Sequence, residues 1–379
     1  MLLACWQLHH FFCSRHAGEF KGLTVRFPGF WFKREPAPLM GLDIRSSSVK
    51  LVELAHTRSG PLRVLHVGIE QLQPGWVADD QINDFEQVAQ GLRRLVRRCG
   101  TKTRLAAMAL PGAAVITRNI KLPAGLSDAE LAVQVESEAN QYIPFPMDEA
   151  NLDFCSIGPT GPAAQDIDVM IAASRKERVQ DMLGLAEAAG LKLAILDIRS
   201  YASRRAAARI LGQLPGTEEA SPIVALFEMG GQSTSLQVMQ GEILLYEREQ
   251  AFGGAKLTRL LAEHYGWTTE VAEARKRSGE LPPADAQQIL RAFAQDAAQE
   301  IGRAMQFFFS STPHTQVQHI LLAGGSAAVP GLAEAVAAHN GVACSLADPF
   351  RGMLSDPGLA GEAPSYLVAC GLALRRFAT

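Results

Sequence analysis

The segment GLDIRSSSVK, residues 41–50, combines an acid, a turn of small polar residues and a lysine between two apolar runs. This order predicts a β-hairpin: an apolar strand, a tight turn and a return strand in which apolar and polar residues alternate. A tight turn of this kind directs several backbone N–H groups into one concavity, which suits a phosphate group. Asp43, the acid before the turn, can hold a metal ion against such phosphates. The segment therefore predicts a phosphate-binding loop.

Two later segments carry turns of a similar kind. VALFEMGGQSTSL, residues 224–236, again places an acid, Glu228, before a Gly- and Ser-rich turn and an alternating return strand. ILLAGGS, residues 320–326, ends an apolar strand with two glycines, where a flat ring can approach the backbone. One such turn alone is most often an ordinary hairpin turn. Three of them in this order predict a nucleotide clamp, with the first two turns facing each other across a cleft.

The composition is that of a globular protein with a substantial core. Of the 379 residues, 47% are hydrophobic and 20% are charged, which predicts two large domains or four smaller subdomains. The formal net charge of −3 argues against bulk binding of nucleic acid. The six cysteines form no CxxC pair, so we expect free thiols in a reducing cytoplasm. No apolar run reaches the ~18 residues of a membrane span, and the first residues are not typical of a signal peptide.

Periodicity and punctuation predict the domain organisation. Residues 85–99 form an amphipathic helix pattern, and a capping-box pattern at Ser127–Glu130 opens a second helix through about residue 141. Residues 1–38 are aromatic, basic and aperiodic, which favours a disordered leader; packing on the domain or contact with an anionic membrane surface are the alternatives. We predict a leader at 1–38, a first domain core at 39–116 with 191–220 and 348–379, a partner-binding α+β insert at 117–190, a second domain core at 221–255 and 313–347, and a helical subdomain at 256–312.

The order of these motifs resembles the actin-like ATPase superfamily, in which Asp43 and Lys50 keep the spacing of the first phosphate loop. The resemblance implies an α/β protein with the actin-like ATPase fold: two duplicated halves and a small α+β insert in the first half. It also implies that ATP and Mg²⁺ bind. The residues implied to contact the nucleotide are Ser46, Ser47, Ser48, Lys50, Gly230, Gly231, Gln232, Ser233, Thr234, Gly254, Glu273, Lys276, Gly324, Gly325 and Ser326. Asp43, Asp197 and Glu228 are the implied catalytic acids, and Asp43 and Glu228 the implied metal ligands.

Within this superfamily the chain resembles the PilM family of type IV pilus assembly. The supporting segments are WFKR at 31–34, the first hairpin, YIPFP at 142–146, LD at 196–197 with SYA at 200–202, and LLAGGS at 321–326. The resemblance implies a cytoplasmic ATP-binding adaptor at the inner face of the inner membrane. Its implied partner is the N-terminal cytoplasmic peptide of a PilN-like membrane protein, which makes its association with the membrane indirect. Contacts with other pilus assembly proteins and self-association are further expectations.

Three positions depart from the superfamily pattern. Arg45 stands where many members have glycine, Glu228 replaces the usual aspartate, and Gly231 stands in place of a second acid. The glutamate side chain is one methylene longer than that of aspartate. Because phosphoryl transfer depends on how the reacting groups are positioned, a shift of this size can lower the rate by orders of magnitude. We therefore expect nucleotide binding with at most slow ATPase activity.

Several of these assignments have structural alternatives. Lys50 suits a charge at a strand end, Asp197 suits a cap of the following helix, and Glu273 suits an exposed helix acid. Residues 142–146 suit simple packing of the insert against its domain. For the whole chain, the alternative function is that of an FtsA-like polymerising cytoskeletal or cell-division protein. A small-molecule kinase would need a substrate pocket with a catalytic carboxylate, for which the sequence offers no clear candidate.

Overall fold

The structure is a computed structural model that describes residues 37–57, 60–78, 80–159, 165–213, 222–241 and 243–377. These residues form two compact units. The first unit comprises the chain up to His56, Leu65–Ala202 and the chain from Leu372 onward, and the second comprises Thr57–Val64 and Ser203–Gly371. The leader predicted at 1–38 lies outside the described residues, apart from its last two.

A mixed five-stranded sheet forms the centre of the first unit. The first half of the chain contains β1 (Met40–Ile44), β2 (Ser48–Ala55), β3 (Arg63–Gln71), β4 (Val77–Ala78), β5 (Gln81–Ile82), β6 (Leu105–Leu110), β7 (Ile116–Pro123), β8 (Ala150–Pro159), β9 (Asp166–Arg175) and β10 (Lys192–Ile198). The central sheet has the order β10-β6-β1-β2-β3. Strand β1 is antiparallel to β2 and parallel to β6, and β6 is parallel to β10.

The helices of this half are α1 (Phe85–Cys99), α2 (Asp128–Ala139), α3 (Lys176–Ala188) and α4 (Arg199–Leu211). Helix α1 confirms the prediction to the residue. Asp84 caps it by accepting a hydrogen bond from the Gln87 backbone N–H, and Gly100 ends it in the left-handed conformation with φ 67°. Its buried face carries Val88, Leu92 and other apolar side chains that pack in the core of the central sheet.

The α+β insert has its own sheet, in the antiparallel order β7-β9-β8. Helix α2 begins with the predicted capping box, in which Ser127 and Glu130 bond each other's backbone N–H groups. Helix α2 and the insert sheet share a small separate core that includes Ile120, Val135 and Ile171. Helix α3, by contrast, buries Val179 and its neighbours in the core of the central sheet. The insert as a structural layer is therefore α2 with β7–β9, whereas the prediction also included the helix that follows.

The second unit repeats the sheet of the first. The remaining strands are β11 (Ile223–Met229), β12 (Thr234–Gln240), β13 (Ile243–Gln250), β14 (His319–Ala323) and β15 (Cys344–Leu346), in the order β13-β12-β11-β14-β15. Strands β11, β12 and β13 are antiparallel neighbours, and β14 and β15 continue the sheet in parallel with β11. In both sheets three successive strands are followed by two parallel strands on the far side of the first. This shared topology is what a duplicated fold requires.

The helices of the second half of the chain are α5 (Gly254–Tyr265), α6 (Thr269–Ser278), α7 (Pro283–Ser311), α8 (Leu332–Asn340) and α9 (Leu367–Ala373). Helices α5, α6 and α7 fill most of the predicted helical subdomain. The face of α7 that carries Phe293, Ile301 and Phe308 is buried against Phe227 and the rest of the core, as the helical spacing of those residues predicts.

The predicted domain boundaries stay predictions, with one further difference to note. Residues 203–213 and 348–371 group with the second unit, although the sequence assigned them to the first domain. The Arg209 guanidinium donates to the Arg351 carbonyl oxygen, which joins the two stretches to each other, and the Gln237 amide donates to Ser203 Oγ, which connects the first stretch to β12.

The described residues also bear on the cysteines and on membrane insertion. Cys99, Cys155, Cys344 and Cys370 are free thiols, as expected. Burial raises the pKa of both the Cys344 and Cys370 thiols to about 12, which makes them poor nucleophiles at neutral pH. Across the ranges that the structure describes, no helix combines the length and the apolar character that a bilayer crossing demands.

Candidate nucleotide-binding site

The first predicted phosphate loop is the turn between β1 and β2, in the first unit. The Arg45 backbone N–H donates to the Ser48 carbonyl oxygen over 2.9 Å and closes the turn. The Ser47 carbonyl accepts a hydrogen bond from the Leu72 backbone N–H over 3.0 Å, which fixes the turn to the chain beyond β3. Asp43 and Lys50 are directly opposite in the hairpin register. The predicted hairpin is therefore confirmed, and its acid and its lysine lie side by side.

Asp43 is held by cations. Its carboxylate accepts from Arg45 Nε at 3.0 Å and 3.2 Å, and Lys50 Nζ lies 4.0 Å from Oδ2. The Asp43 side chain is only 4% exposed. Burial acts to raise the pKa of Asp43, but the charges of Arg45, Lys50 and Arg199 outweigh it and hold that pKa below its ordinary value. Asp43 is therefore a charged carboxylate at neutral pH.

Asp197 is the penultimate residue of β10 in the same unit and is also buried. Its Oδ1 accepts from the Ile198 backbone N–H over 2.8 Å, and its Oδ2 lies 3.5 Å from Arg375 Nη1. Sequence reasoning missed the contact with Arg375 because 178 residues separate the two positions and no local pattern joins them. The one available signal in the sequence was the apolar run that precedes Arg375, because an arginine buried next to such a run needs an acidic partner.

The implied magnesium ion finds little support in this geometry. Among the described residues, no group of three or more His, Cys, Asp or Glu side chains could hold a metal. Magnesium bound to a nucleotide needs only one or two carboxylates, but both oxygens of Asp43 already accept hydrogen bonds from a guanidinium. Glu228, the second implied ligand, is buried at the end of β11. Asp43 as it stands is thus a partner for Arg45 and does not fit a metal ion.

The second predicted phosphate loop follows β11 in the second unit. The Gly230 backbone N–H donates to the Ser233 carbonyl oxygen over 2.8 Å and closes the turn. The Gly230 and Gly231 carbonyls accept from the backbone N–H groups of Gly254 and Ala255 over 3.0 Å and 2.8 Å. The loop therefore lies directly against the first turn of α5, where Gly254 is buried.

The third loop, predicted to contact adenosine, meets the second loop within the same unit. Ser326 Oγ donates to the Gly230 carbonyl oxygen over 3.0 Å. Gly324 has φ 89°, and a Cβ there would lie 2.3 Å from the Met229 carbonyl oxygen, so only glycine fits. A Cβ on Gly325 would have no heavy atom within 4 Å. Gly324 thus allows two backbone segments to approach closely, and Gly325 faces open space where a flat ring can lie.

Lys276 and Glu273 complete this cluster from α6. Lys276 Nζ donates to Glu273 Oε2 over 2.5 Å, to Thr258 Oγ1 over 2.7 Å and to the Gly254 carbonyl oxygen over 3.2 Å. Burial lowers the pKa of Lys276, and the adjacent Glu273 carboxylate opposes that shift. Burial acts to raise the pKa of Glu273, but Lys276, Thr258 and Arg277 together bring it below its ordinary value. Thr258, which the sequence analysis did not identify, connects the acid and the lysine to α5.

The remaining predicted contacts differ in accessibility. Ser46, Ser47, Gly231 and Ser233 are half-buried, and Gln232 is exposed. Thr234 is buried and donates its hydroxyl to the Phe252 carbonyl oxygen over 2.6 Å, while Ser48 is buried within β2. The nucleotide-binding roles of all these residues stay predictions.

Comparison with known proteins assigns the family. The family model described as type IV pilus assembly protein PilM matches residues 41–377. A chain of the solved PilM-PilN type IV pilus biogenesis complex is 28% identical with a TM-score of 0.72, and the match covers 89% of this chain and 98% of that one. Ethanolamine utilization protein EutJ from Carboxydothermus hydrogenoformans is 16% identical with a TM-score of 0.55, over 89% of this chain and 90% of that one.

These matches confirm the fold predicted from the sequence. Together with the repeated sheet topology, they give the chain the actin-like ATPase fold, with a small α+β insert in the first half. They lend no support to the alternative of an FtsA-like division protein. The chain belongs to the PilM family of type IV pilus assembly proteins.

Proposed function

We propose that this chain is an ATP-binding adaptor of the type IV pilus assembly complex at the inner face of the inner membrane. It recruits the N-terminal cytoplasmic peptide of a PilN-like membrane protein. The observation that carries the proposal is the match to the PilM-PilN complex, which extends over 98% of the matched chain. A nearly full-length match supports a shared role more strongly than a shared fold does.

Nucleotide binding is supported by the second unit in particular. Residues predicted from three separate stretches of sequence converge there: the Gly230 loop, the Gly324 loop and the Lys276–Glu273 pair. The open space at Gly325 supports a position for the adenine ring against the backbone. Magnesium stays a prediction that the geometry around Asp43 does not favour.

A bulky side chain at Gly325 tests the nucleotide site. Gly325→Trp fills the space proposed for the ring without a steric cost to the fold, because no heavy atom lies near its Cβ position. We expect ATP affinity, measured by titration calorimetry, to fall at least about tenfold. Gly361→Trp is the matched control, since this glycine of the same unit is also exposed and has no neighbour within 4 Å. Equal ATP affinity in the two variants would contradict the proposed site.

Peptide binding is proposed on the insert, along the β7 edge. Among the strands that the structure describes, β7 pairs with β9 alone, so its outer backbone groups are proposed to receive an extended peptide. Tyr142 lies beside this edge, 41% exposed, with the Arg118 guanidinium 5.4 Å from its ring centroid. Ile143 is 7% exposed and belongs to the core of the insert. Within the YIPFP segment, Ile143 thus packs in the core of the insert itself, and the exposed ring of Tyr142 supports the proposed contact with a partner.

Point substitutions test this surface better than deletion of residues 118–190, because deletion would remove α3 and with it part of the central core. Tyr142→Ala is expected to weaken binding of a synthetic PilN-like N-terminal peptide about tenfold or more, as loss of an aromatic anchor does. Ile243→Ala, a comparably exposed residue of the second unit, is the control. Unchanged peptide affinity in Tyr142→Ala would place the binding surface elsewhere.

ATP is expected to change the affinity for the peptide, which would make the adaptor responsive to nucleotide.

A further inference from the structure

Helix α1 carries four arginines, which divide into two pairs. Arg94 and Arg98 both donate to the Glu70 carboxylate of β3, over 2.7 Å and 2.6 Å. Arg93 and Arg97 instead line a groove of about 420 Å³ against the end of α3, within the first unit. Neither the nucleotide site nor the peptide edge proposed above uses this groove, so its arginines have no role in the function described so far.

Two arginines of the groove are held by backbone carbonyl oxygens. Arg93 Nε donates to the Ala188 carbonyl oxygen at the end of α3. Arg104, which precedes β6 and also lines the groove, donates from Nη1 to the Thr101 and Thr103 carbonyl oxygens over 3.3 Å and 3.1 Å. A carbonyl oxygen has no formal charge, so these bonds orient the guanidinium groups without neutralising them. Each guanidinium keeps further N–H donors for a ligand.

The acids near the groove neutralise its arginines only in part. Arg93 Nη2 lies 3.8 Å from Glu86 Oε1, and the two side chains are 42% and 62% exposed, so this pair is weak. Glu187 is the acid among the residues that line the groove, and it is exposed. Within the ranges that the structure describes, neither Arg97 nor Arg104 forms an ion pair. Three arginines beside these two exposed acids leave the groove positively charged.

The lining of the groove indicates which kind of anion it fits. Val96, Ala188 and Ala189 add apolar surface beside the guanidinium groups. A compact inorganic anion would use the charge but not this apolar surface. A flat anionic membrane surface would bring its charge against the exposed acids Glu86 and Glu187 as well as the arginines. A single peptide chain can place carboxylates at the arginines and an apolar side chain between them.

We propose that this groove binds an acidic segment of a partner protein, with carboxylates of the segment paired to the guanidinium groups of Arg93, Arg97 and Arg104. Arginine suits this task because its planar fork binds a carboxylate in a bidentate way. Since backbone carbonyls already orient Arg93 and Arg104, these side chains lose little freedom on binding. The groove is a second docking site, and the proposal depends neither on ATP nor on the PilN-like peptide.

The test is fluorescence anisotropy of short labelled peptides titrated with the full chain at low ionic strength. Each peptide carries a pair of glutamates separated by a variable number of leucine and glycine residues, and its counterpart carries glutamines instead. We expect at least one spacing to bind at least about tenfold more tightly than its glutamine counterpart. High salt should weaken that binding, because the groove is open to solvent. Equal affinities of the glutamate and glutamine peptides at every spacing would overturn the proposal.

Variants of α1 locate the binding. Arg97→Gln changes an exposed residue that forms no ion pair among the described residues, so it should fold normally and weaken the acidic peptide at least about fivefold. Arg94→Gln removes the same charge from the same helix, on the side of Glu70, and is the matched control with an expected change below about twofold. Equal losses in the two variants would mean general attraction to the helix and would overturn the role of the groove. Arg104→Gln is the second variant if Arg97→Gln does not fold.

Two competitors separate the classes of ligand: inorganic pyrophosphate, and vesicles of phosphatidylcholine with phosphatidylglycerol. We expect pyrophosphate to displace the acidic peptide only weakly and the vesicles not to bind the chain. Vesicle binding or strong pyrophosphate binding that Arg97→Gln abolishes would assign the groove to a membrane or to a small anion and overturn the proposal. Affinities for ATP and for the PilN-like peptide should be unchanged in Arg97→Gln, so failure here leaves the proposed function standing.

Discussion

At the scale of single residues, two of the three implied catalytic acids lie against arginines. Asp43 is bonded to Arg45, and Asp197 lies 3.5 Å from Arg375. Each pair is largely buried, where an ion pair contributes little to stability while intact but is costly to break from one side. The departure at position 45, visible in the sequence, thus puts a guanidinium beside the acid of the first loop.

Removing the charge of Asp43 should destabilise the protein in a pH-dependent way. Asp43→Asn leaves Arg45 and Lys50 without their shared acid, at a cost of about 3 kcal/mol in the free energy of unfolding. Because the folded pKa of Asp43 lies below its unfolded value, this contribution is present above about pH 4 and is lost as pH falls further. Urea unfolding of both proteins from pH 7 to pH 3 measures it. A difference that grows as pH falls would contradict the assigned sign.

The Lys276 ammonium should matter more than the neighbouring Arg277 guanidinium, although both pair with Glu273. Lys276 is 18% exposed and also bonds to Thr258 and Gly254, whereas Arg277 is 34% exposed. Lys276→Met should lower the free energy of unfolding by about 2 kcal/mol. Arg277→Met should cost less than about 1 kcal/mol, because solvent screens its charge. Thermal unfolding of the two variants compares them directly, and equal losses would contradict the assignment.

At the scale of elements, adjacent glycines of the third loop should respond in opposite ways to a single methyl group. Gly324→Ala places a Cβ at φ 89° and 2.3 Å from a backbone oxygen, so we expect it to cost more than about 2 kcal/mol. Gly325→Ala meets no atom and should change stability by less than about 0.5 kcal/mol. Chemical denaturation measures both. A stable Gly324→Ala protein would mean that this loop is not held as described.

Elements with local signals could be predicted from the sequence. Helix α1 was bounded correctly by its apolar stripe, the capping box at Ser127 marked the start of α2, and both hairpins were identified by their turns. No local pattern in the sequence indicates which hydrophobic core an element will join. Helix α3 follows the strands of the insert in sequence, yet it packs on the central sheet, because tertiary burial and not chain order decides where its apolar face goes.

The same distinction applies to the candidate site. Residues in the turns were found because Gly and Ser at the ends of strands have a local meaning. Arg375, Thr258 and Arg199 were missed because their roles depend on contacts over distances in sequence that no spacing rule records. The resemblance to a family predicted the roles of the loops in their order, whereas the side chains that support the loops were identified only in the structure.

For the whole molecule, the proposed function assigns separate tasks to separate parts: glycine-rich loops to the nucleotide, and the insert to the peptide. Linkage then requires reciprocity, so any factor by which ATP changes the affinity for the peptide must equal the factor by which the peptide changes the affinity for ATP.

The most direct test of a nucleotide-responsive adaptor is fluorescence anisotropy of a labelled PilN-like N-terminal peptide, titrated with the full chain with and without saturating ATP. The account predicts saturable binding in both series, with dissociation constants that differ by about fivefold or more. It also predicts that Gly325→Trp removes the difference and that Tyr142→Ala weakens binding in both series. A folded chain that shows no saturable binding of the peptide, or binds it with the same affinity whether or not ATP is bound, would contradict the account.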